Sequence, residues 1–364
     1  MKERIITILL IFGYLLAFSL AGFLFYDRYL KFKIVNTEIG SKENSQSKIY
    51  YTTGNNLYSL NAEIINQQVK QNQTNLAQST GKIDQLTINP KTVNLFYDSL
   101  NLDNKWEIWK VNQKDNGSQK VFSSQIAGFE NFTSFTNPKI SPDGQQVGFI
   151  ASKKTENYLF ITKADDTGNF KNISANITNQ AIVDFGWSPK DNKIALITFG
   201  DAFSVAIINL DDTTLKNIYT TKDELAELSW NESSLYFLSK NANNETNLNK
   251  IDIPEGSSQA IPTNISGLKS IQKYFFDNLG EHIAYEVKSQ DPIGTDVYLS
   301  NYAGENLIQL TKTGEAVGAV FSTNEDYLAF FDKDGIYRLD IKQNKKEKIL
   351  NLKTPIDKIL AWSK

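Results

Sequence analysis

The 364-residue chain has no cysteine, one histidine, one methionine and eight prolines. Without cysteine there are no disulfides, no thiolate metal sites and no Cys nucleophile. A single imidazole cannot supply the several His ligands that most zinc sites use. The charge is just as sparing, -3 net with a pI near 5.5. That gives no basic field with which to displace counterions from phosphates, so nucleic acid is excluded as a partner. No phosphate-cradling glycine loop occurs, and no Gly-x-Ser-x-Gly elbow.

What is present is aromatic side chains, 12% of residues, and asparagine. Asn-x-Ser/Thr triplets recur, for example at Asn131, Asn172, Asn176 and Asn264. So much Asn, Ser and Thr produces such triplets by composition alone, and the chain reads as bacterial.

One long apolar run stands at the start. From Ile5 to Tyr26 no residue is charged. As a helix, a run of about 22 residues reaches roughly 33 Å, enough for the hydrocarbon core. The rival is a cleaved signal peptide, because Lys2 and Arg4 precede the run and Ser19-Leu20-Ala21 has the small-x-small form. Cleavage there would leave Gly22-Phe23-Leu24-Phe25-Tyr26 bare, so an uncleaved signal-anchor is the preferred reading. Residues 1–4 are then a short head, 5–26 the membrane helix and 27–47 a polar tether with a reach of roughly 20 Å. The domain that follows is expected on the external or periplasmic side of the bacterial cytoplasmic membrane, although Arg28, Lys31 and Lys33 weaken the charge-bias argument.

From residue 48 to 364 one pattern repeats. In Asn137-Pro138-Lys139-Ile140-Ser141-Pro142-Asp143-Gly144 and again in Phe185-Gly186-Trp187-Ser188-Pro189, an extended segment ends in an apolar anchor, turns tightly and leaves as a second strand. The anchors Ile88, Ile140, Trp187, Trp230, Phe276, Phe321 and Trp362 lie roughly 41–52 residues apart, the period of four-stranded propeller blades. A second strand (Val147-Gly148-Phe149-Ile150), a third (Tyr158-Leu159-Phe160-Ile161) and in several units a weaker fourth (Lys348-Ile349-Leu350) follow. The chain ends on a first strand, Ile359 to Trp362, whereas Lys48 to Leu60 looks like a second and third strand lacking a first. Joining them closes a ring, so the expected fold is an all-β propeller of seven four-stranded blades closed by strands from both ends. Six or eight blades remain alternatives, because Gln67 to Ser79 is polar and not assignable.

The Ser-Pro-Asp-Gly hairpin at 141–144 and Trp187-Ser188-Pro189 resemble the TolB-like, WD40-like propeller repeat of the PD40 type. The likeness spans most of Ile49 to Lys364, though other units drift to Asn89-Pro90-Lys91, Asn231-Glu232-Ser233 and Ser322-Thr323-Asn324. It implies a propeller and says little of function. TolB is a soluble periplasmic adaptor with an α/β domain ahead of its propeller. The apolar run replaces that domain here, so TolB's role does not carry over.

The search for chemistry returns mostly structural readings. His282 falls at the start of a second strand and reads as a rim residue. Related propellers precede hydrolase domains in serine peptidases, but nothing follows Trp362 that would build one. Asp165-Asp166-Thr167-Gly168-Asn169 and Asp332-Lys333-Asp334-Gly335 lack the alternating oxygen ligands and closing Glu of a calcium loop and read as turns. No cofactor or metal is therefore expected, and no catalytic residue is nominated. The connections at Ser99 to Lys105, Lys240 to Asn247, Lys288 to Thr295 and Ser123 to Phe132 are long and rich in Asn and Asp. They share one face of a propeller, so Asn101, Asp103, Asn241, Asn244 and Asp291 are nominated as interaction-face residues. The expected function is a membrane-tethered, non-enzymatic, monomeric scaffold that binds a protein, peptide or glycan of the cell envelope. The alternative is a glycan hydrolase or lyase using carboxylates at the central channel. Converging Asp, Glu, Arg or Tyr at the channel mouth would favour the enzyme.

Overall fold

The computed structural model describes residues 47–364, except 66–67, 90–93, 113–116, 155, 178–179, 254–262, 265–266, 278–279, 323–325, 353–355 and 364. The predicted helix between Ile5 and Tyr26 lies outside these residues. Among the described residues no helix is long and apolar enough to cross a membrane.

Seven four-stranded antiparallel sheets form the propeller, so of the six-, seven- and eight-bladed alternatives seven is the observed one. Blade 1 comprises β1 (Lys48–Thr53), β2 (Asn56–Ile65) and β3 (Gln68–Gln78), with β28 (Lys358–Ser363) as its inner strand. Blade 2 runs outward through β4 (Ile83–Ile88), β5 (Leu95–Leu100), β6 (Trp106–Asn112) and β7 (Gly117–Phe122). Blade 3 has β8 (Ser134–Ile140), β9 (Gln146–Lys153), β10 (Glu156–Lys163) and β11 (Phe170–Asn172), and blade 4 has β12 (Ala181–Trp187), β13 (Lys193–Phe199), β14 (Phe203–Asn209) and β15 (Leu215–Thr221). Blade 5 is β16 (Glu224–Asn231), β17 (Ser234–Lys240), β18 (Thr246–Asp252) and β19 (Thr263–Asn264). Blades 6 and 7 are β20 (Ile271–Phe276), β21 (His282–Gln290), β22 (Ile293–Asn301) and β23 (Ile308–Gln309), then β24 (Val317–Phe321), β25 (Tyr327–Asp332), β26 (Gly335–Asp340) and β27 (Lys345–Asn351).

After the anchors Ile140, Phe276 and Phe321 a small polar side chain satisfies the turn. Ser141 Oγ accepts the Gln146 N–H at 2.9 Å, Ser322 Oγ the Tyr327 N–H at 3.1 Å, and Asp277 the N–H groups of Glu281 and His282, each at 2.9 Å. These caps sit beneath the apolar anchors and are themselves buried. Second strands are apolar on both faces because each blade packs between two others. The core accordingly lies at the joints. One cluster joins Phe96, Ile108 and Phe122 of blade 2 to Phe135, Val147 and Phe149 of blade 3, with Phe122 and Phe149 stacked at 4.1 Å. Another joins Ile49, Tyr51 and Leu60 of blade 1 to Ala329, Ile336 and Leu350 of blade 7.

Closure is as expected: Ile49 pairs with Trp362, and Tyr50 with Ala361. The unassigned polar stretch is β3, the outermost strand of the closing blade. An edge strand needs little apolar alternation, and only Leu76 and Ala77 of its described side chains are buried.

Strand direction defines two faces. Connections between second and third strands, and between blades, emerge on one face, here the upper; the other hairpin turns emerge on the lower. β1 ascends, so Ser47 enters at the lower face, where its Oγ accepts the Trp362 indole N–H at 2.5 Å. Each inner strand carries a register shift against its second strand near its upper end, so a ring of β-bulges surrounds the channel mouth.

Candidate functional site

The bulges bring charge into the channel. Around the ring, the inner strands present Lys358, Asp84, Lys139, Asp184, Glu227 and Lys273 from blades 1 to 6, while blade 7 has Gly318 at its bulge. Second strands add Asp98 and Glu286, both buried.

These groups stitch neighbouring blades together. Asp98 accepts the Gln85 N–H at 2.7 Å and, from the next blade, the Asn137 N–H at 2.9 Å. Glu286 accepts the Gly318 N–H of blade 7 at 2.7 Å. Asp184 ties three blades: its carboxylate accepts from Asn137 Nδ2 (2.6 Å), Lys139 Nζ (2.8 Å), Phe185 N (2.7 Å) and Leu228 N (2.6 Å). Lys358 pairs with Asp84 across the blade 1 to blade 2 joint.

Burial and neighbours set the protonation of the ring. Burial pushes the Asp98 carboxyl up to about 6, against the pull of the Asn137, Gln85 and Asp84 backbone donors. Burial also raises Glu286 and Glu227, with nearby Lys273 opposing in both cases. Burial alone would lower Lys273, but Glu227, Glu286 and Asp84 outweigh it and raise it. Asp84, despite its burial, is held below the usual carboxylate range by Lys358, whereas burial and the repulsion of Lys273 lower Lys358 itself. Both shifts run downward: Asp84 is favoured as the carboxylate, and Lys358 is desolvated and repelled by Lys273 while it pairs with Asp84.

Two cavities open here. One of 340 Å³ is lined by Asp84, Asp98, Trp106, Asn137, Asp184 and Glu227. The other, 950 Å³, lies between blades 5 and 6 and runs outward from Glu227 past Asn243, Asn244, Gln272, Lys288 and Gln290. Glu227 lines both.

The nominated residues fall on the upper face, with mixed roles. Asn101 and Asn241 build their own turns: Asn101 Oδ1 accepts the N–H groups of Asp103 (2.9 Å) and Lys105 (3.0 Å), and Asn241 Oδ1 those of Asn243 (2.9 Å) and Glu245 (3.0 Å). Asn244 has the left-handed backbone of the same turn, φ 60°, and lines the larger cavity. Asp103 sits in the Asn101 turn and is exposed. The stretch Lys288 to Thr295 is not a long loop. β21 and β22 run almost to its tip, leaving Asp291 in a tight turn with a cis bond to Pro292. Sequence reasoning missed the charged ring and the tips beside these residues. Leu102 is 82% exposed and Ile293 85%, and exposed Phe199 packs on Phe203 at 4.5 Å. All lie at second-to-third turns, on blades 2, 6 and 4.

His282 Nδ1 lies 3.0 Å from Asp277 Oδ2 within a lower-face turn, away from the channel mouth. Asp166 accepts the Gly168 N–H inside its own turn. Among the described residues no group of three or more His, Cys, Asp or Glu is placed to hold a metal ion.

No protein-family model matches the chain, and no curated protein sequence does. Solved structures do match. An oligogalacturonate lyase in complex with manganese superposes with a TM-score of 0.56 at 10% identity over 85% of each chain. TolB from Acinetobacter baumannii gives 0.51 at 13% identity, over 86% of this chain and 81% of that one. A puromycin-hydrolysing peptidase of Mycobacterium tuberculosis gives 0.55 at 13% identity, over 85% of this chain and 54% of that one. The fold is thus a TolB-like seven-bladed propeller; at such identities the likeness speaks for the fold alone.

Proposed function

We propose that this is a non-enzymatic, membrane-tethered binding scaffold whose upper face receives an extended peptide segment of a cell-envelope partner. The observation that carries this is the 950 Å³ groove between blades 5 and 6. Its lining offers the side-chain amides of Asn243, Asn244, Gln272 and Gln290, groups that donate to and accept from a peptide backbone. Among the described residues no aromatic ring lines it to stack on a sugar face, which favours a peptide over a glycan. The exposed tips Leu102, Phe199 and Ile293 offer apolar contacts on the same face. The TolB-like fold agrees with a binding role without specifying a partner.

The test is photocrosslinking in native membranes from Gln290, on the groove, and from Lys190, on the lower face, with and without Gln272→Trp to fill the groove. The expected result is one adduct from Gln290 only, abolished by the filling substitution. Equal labelling from both faces, or adducts indifferent to Gln272→Trp, would sink the proposal.

One observation favours the enzyme alternative. Asp98, Glu227 and Glu286 converge near the channel mouth with raised carboxyl pKa values, a pattern found at sites of acid–base chemistry. Against it, Asp98, Asp184 and Glu286 are already engaged by backbone N–H groups of adjoining blades. Cleavage of acidic oligosaccharides that disappears in Glu227→Gln would establish that alternative.

A further inference from the structure

We infer that Glu227 is the specificity residue of this groove, selecting a peptide that presents a lysine or arginine side chain at the channel mouth. The inference rests on the peptide-binding reading above and adds the chemistry that chooses among peptides.

Of the charged residues lining the groove, two pairs are internal, and Glu227 and Lys288 stand outside them. Lys240 is taken by Glu224 at 3.4 Å and Lys269 by Glu245 at 2.6 Å. Among the described residues the Glu227 carboxylate has no hydrogen bond or ion pair. Its cationic neighbours are all shared, Lys273 with Glu286 and Asp84, Lys139 with Asp184 and Lys358 with Asp84. Asp98, Asp184 and Glu286 differ, since each accepts backbone N–H groups. Lysines 82, 139, 273 and 358 lie among Asp84, Asp98, Asp184, Glu227 and Glu286, and of these carboxyls Glu227 is the one that lines both cavities. An incoming ammonium or guanidinium pairs with it.

The backbone adds an independent argument. Three bulges place a residue in the left-handed region: Asn137 at φ 56°, Glu227 at φ 53° and Gly318 at φ 70°. Asparagine and glycine suit that conformation, and glutamate does not. The Tyr274 hydroxyl, 2.5 Å from the Glu227 carbonyl oxygen, helps to hold it there. A residue that the bulge itself does not favour, set where two cavities meet, fits a role for the side chain in recognition. Burial disfavours the bare Glu227 carboxylate, and a cation seated beside it offsets that cost.

The experiment uses the full chain in detergent and pools of hexapeptides with one position fixed as Lys, Arg, Glu or norleucine, read by fluorescence anisotropy. Lys and Arg pools are expected to bind best, and Glu227→Gln to weaken them about tenfold or more while leaving norleucine pools unchanged. Glu227→Asn, relieved of backbone strain, is expected to melt about 1–2 °C above the parent. A basic preference that survives Glu227→Gln overturns the inference and leaves the groove reading intact. So does Glu227→Asn melting below the parent, which would make Glu227 a structural partner of Lys273. Failure of every pool to bind the parent overturns both.

Discussion

Replacing Asp184 by asparagine removes the carboxylate on which three blades converge. In the parent, one oxygen meets Lys139 Nζ at 2.8 Å and Asn137 Nδ2 at 2.6 Å, and the other meets the Leu228 N–H at 2.6 Å. An amide has a single acceptor oxygen, so it must leave either the Leu228 N–H or the Lys139 ammonium facing its own NH2. An unsatisfied buried donor costs about 1–3 kcal/mol, and breaking a buried ion pair about 3–5 kcal/mol. The Lys139 side chain is 30% exposed and keeps the Phe185 carbonyl at 2.6 Å, so the ion-pair figure is reduced here. A total of about 3–4 kcal/mol is expected. The folded unit Ser47–Lys364 has roughly 320 residues, and at about 2 cal/mol/K per residue of unfolding entropy the melting midpoint should fall by about 5 °C. Calorimetry and urea titration of the parent, Asp184→Asn, Lys139→Met and the double variant measure this. The double variant should cost at least about 1 kcal/mol less than the sum of the singles. An Asp184→Asn protein within about 0.5 °C of the parent, or strictly additive singles, would refute the view that this carboxylate binds the blades together.

Three further outcomes follow from the same geometry. The Asp98 carboxyl stands at about 6 in the fold against 3.8 when free, so the folded state holds the proton more tightly. Stability from this group is therefore full below about pH 4 and lost as pH rises through 6, by about 3 kcal/mol. Urea titrations between pH 4 and 6.5 should show that decline in the parent and a flatter profile in Asp98→Asn; parallel profiles would remove Asp98 as its cause. Gly318→Ala would set a Cβ 2.6 Å from Ile359 N at a φ of +70°, so a loss of about 3 kcal/mol is expected at the joint between blades 7 and 1, and an unchanged melting curve would contradict it. Ending the chain at Lys353 deletes β28 and bares the edge of β1. The shortened protein should aggregate or melt at least about 10 °C lower, and parent-like melting would show that β28 is dispensable.

Most of the ring was legible in the sequence because its signals are local. An anchor, a buried polar cap such as Ser141 or Asp277, and an apolar second strand all lie within about a dozen residues, and turn chemistry needs no tertiary context. The short outer strands β11 and β19 were not legible, having few residues and no apolar alternation. The charged ring was missed for another reason. Asp184, Glu227 and Lys273 each stand three residues before an aromatic anchor, a spacing visible in hindsight, but circular closure and the bulges are what bring them together. Asn101 and Asn241 illustrate the reverse. They looked like recognition residues because they are polar and sit in loops, and their side chains are occupied in shaping those loops.

The pairing of β1 with β28 sets an order of events in synthesis. The strand that shuts the circle is made roughly 310 residues after its partner, so until then the inner edge of β1 has only solvent or a foreign strand to bond with. A nascent chain is thus vulnerable at one known place, Lys48–Thr53, for nearly the whole of its translation, and a chaperone that shields this protein would do most good there.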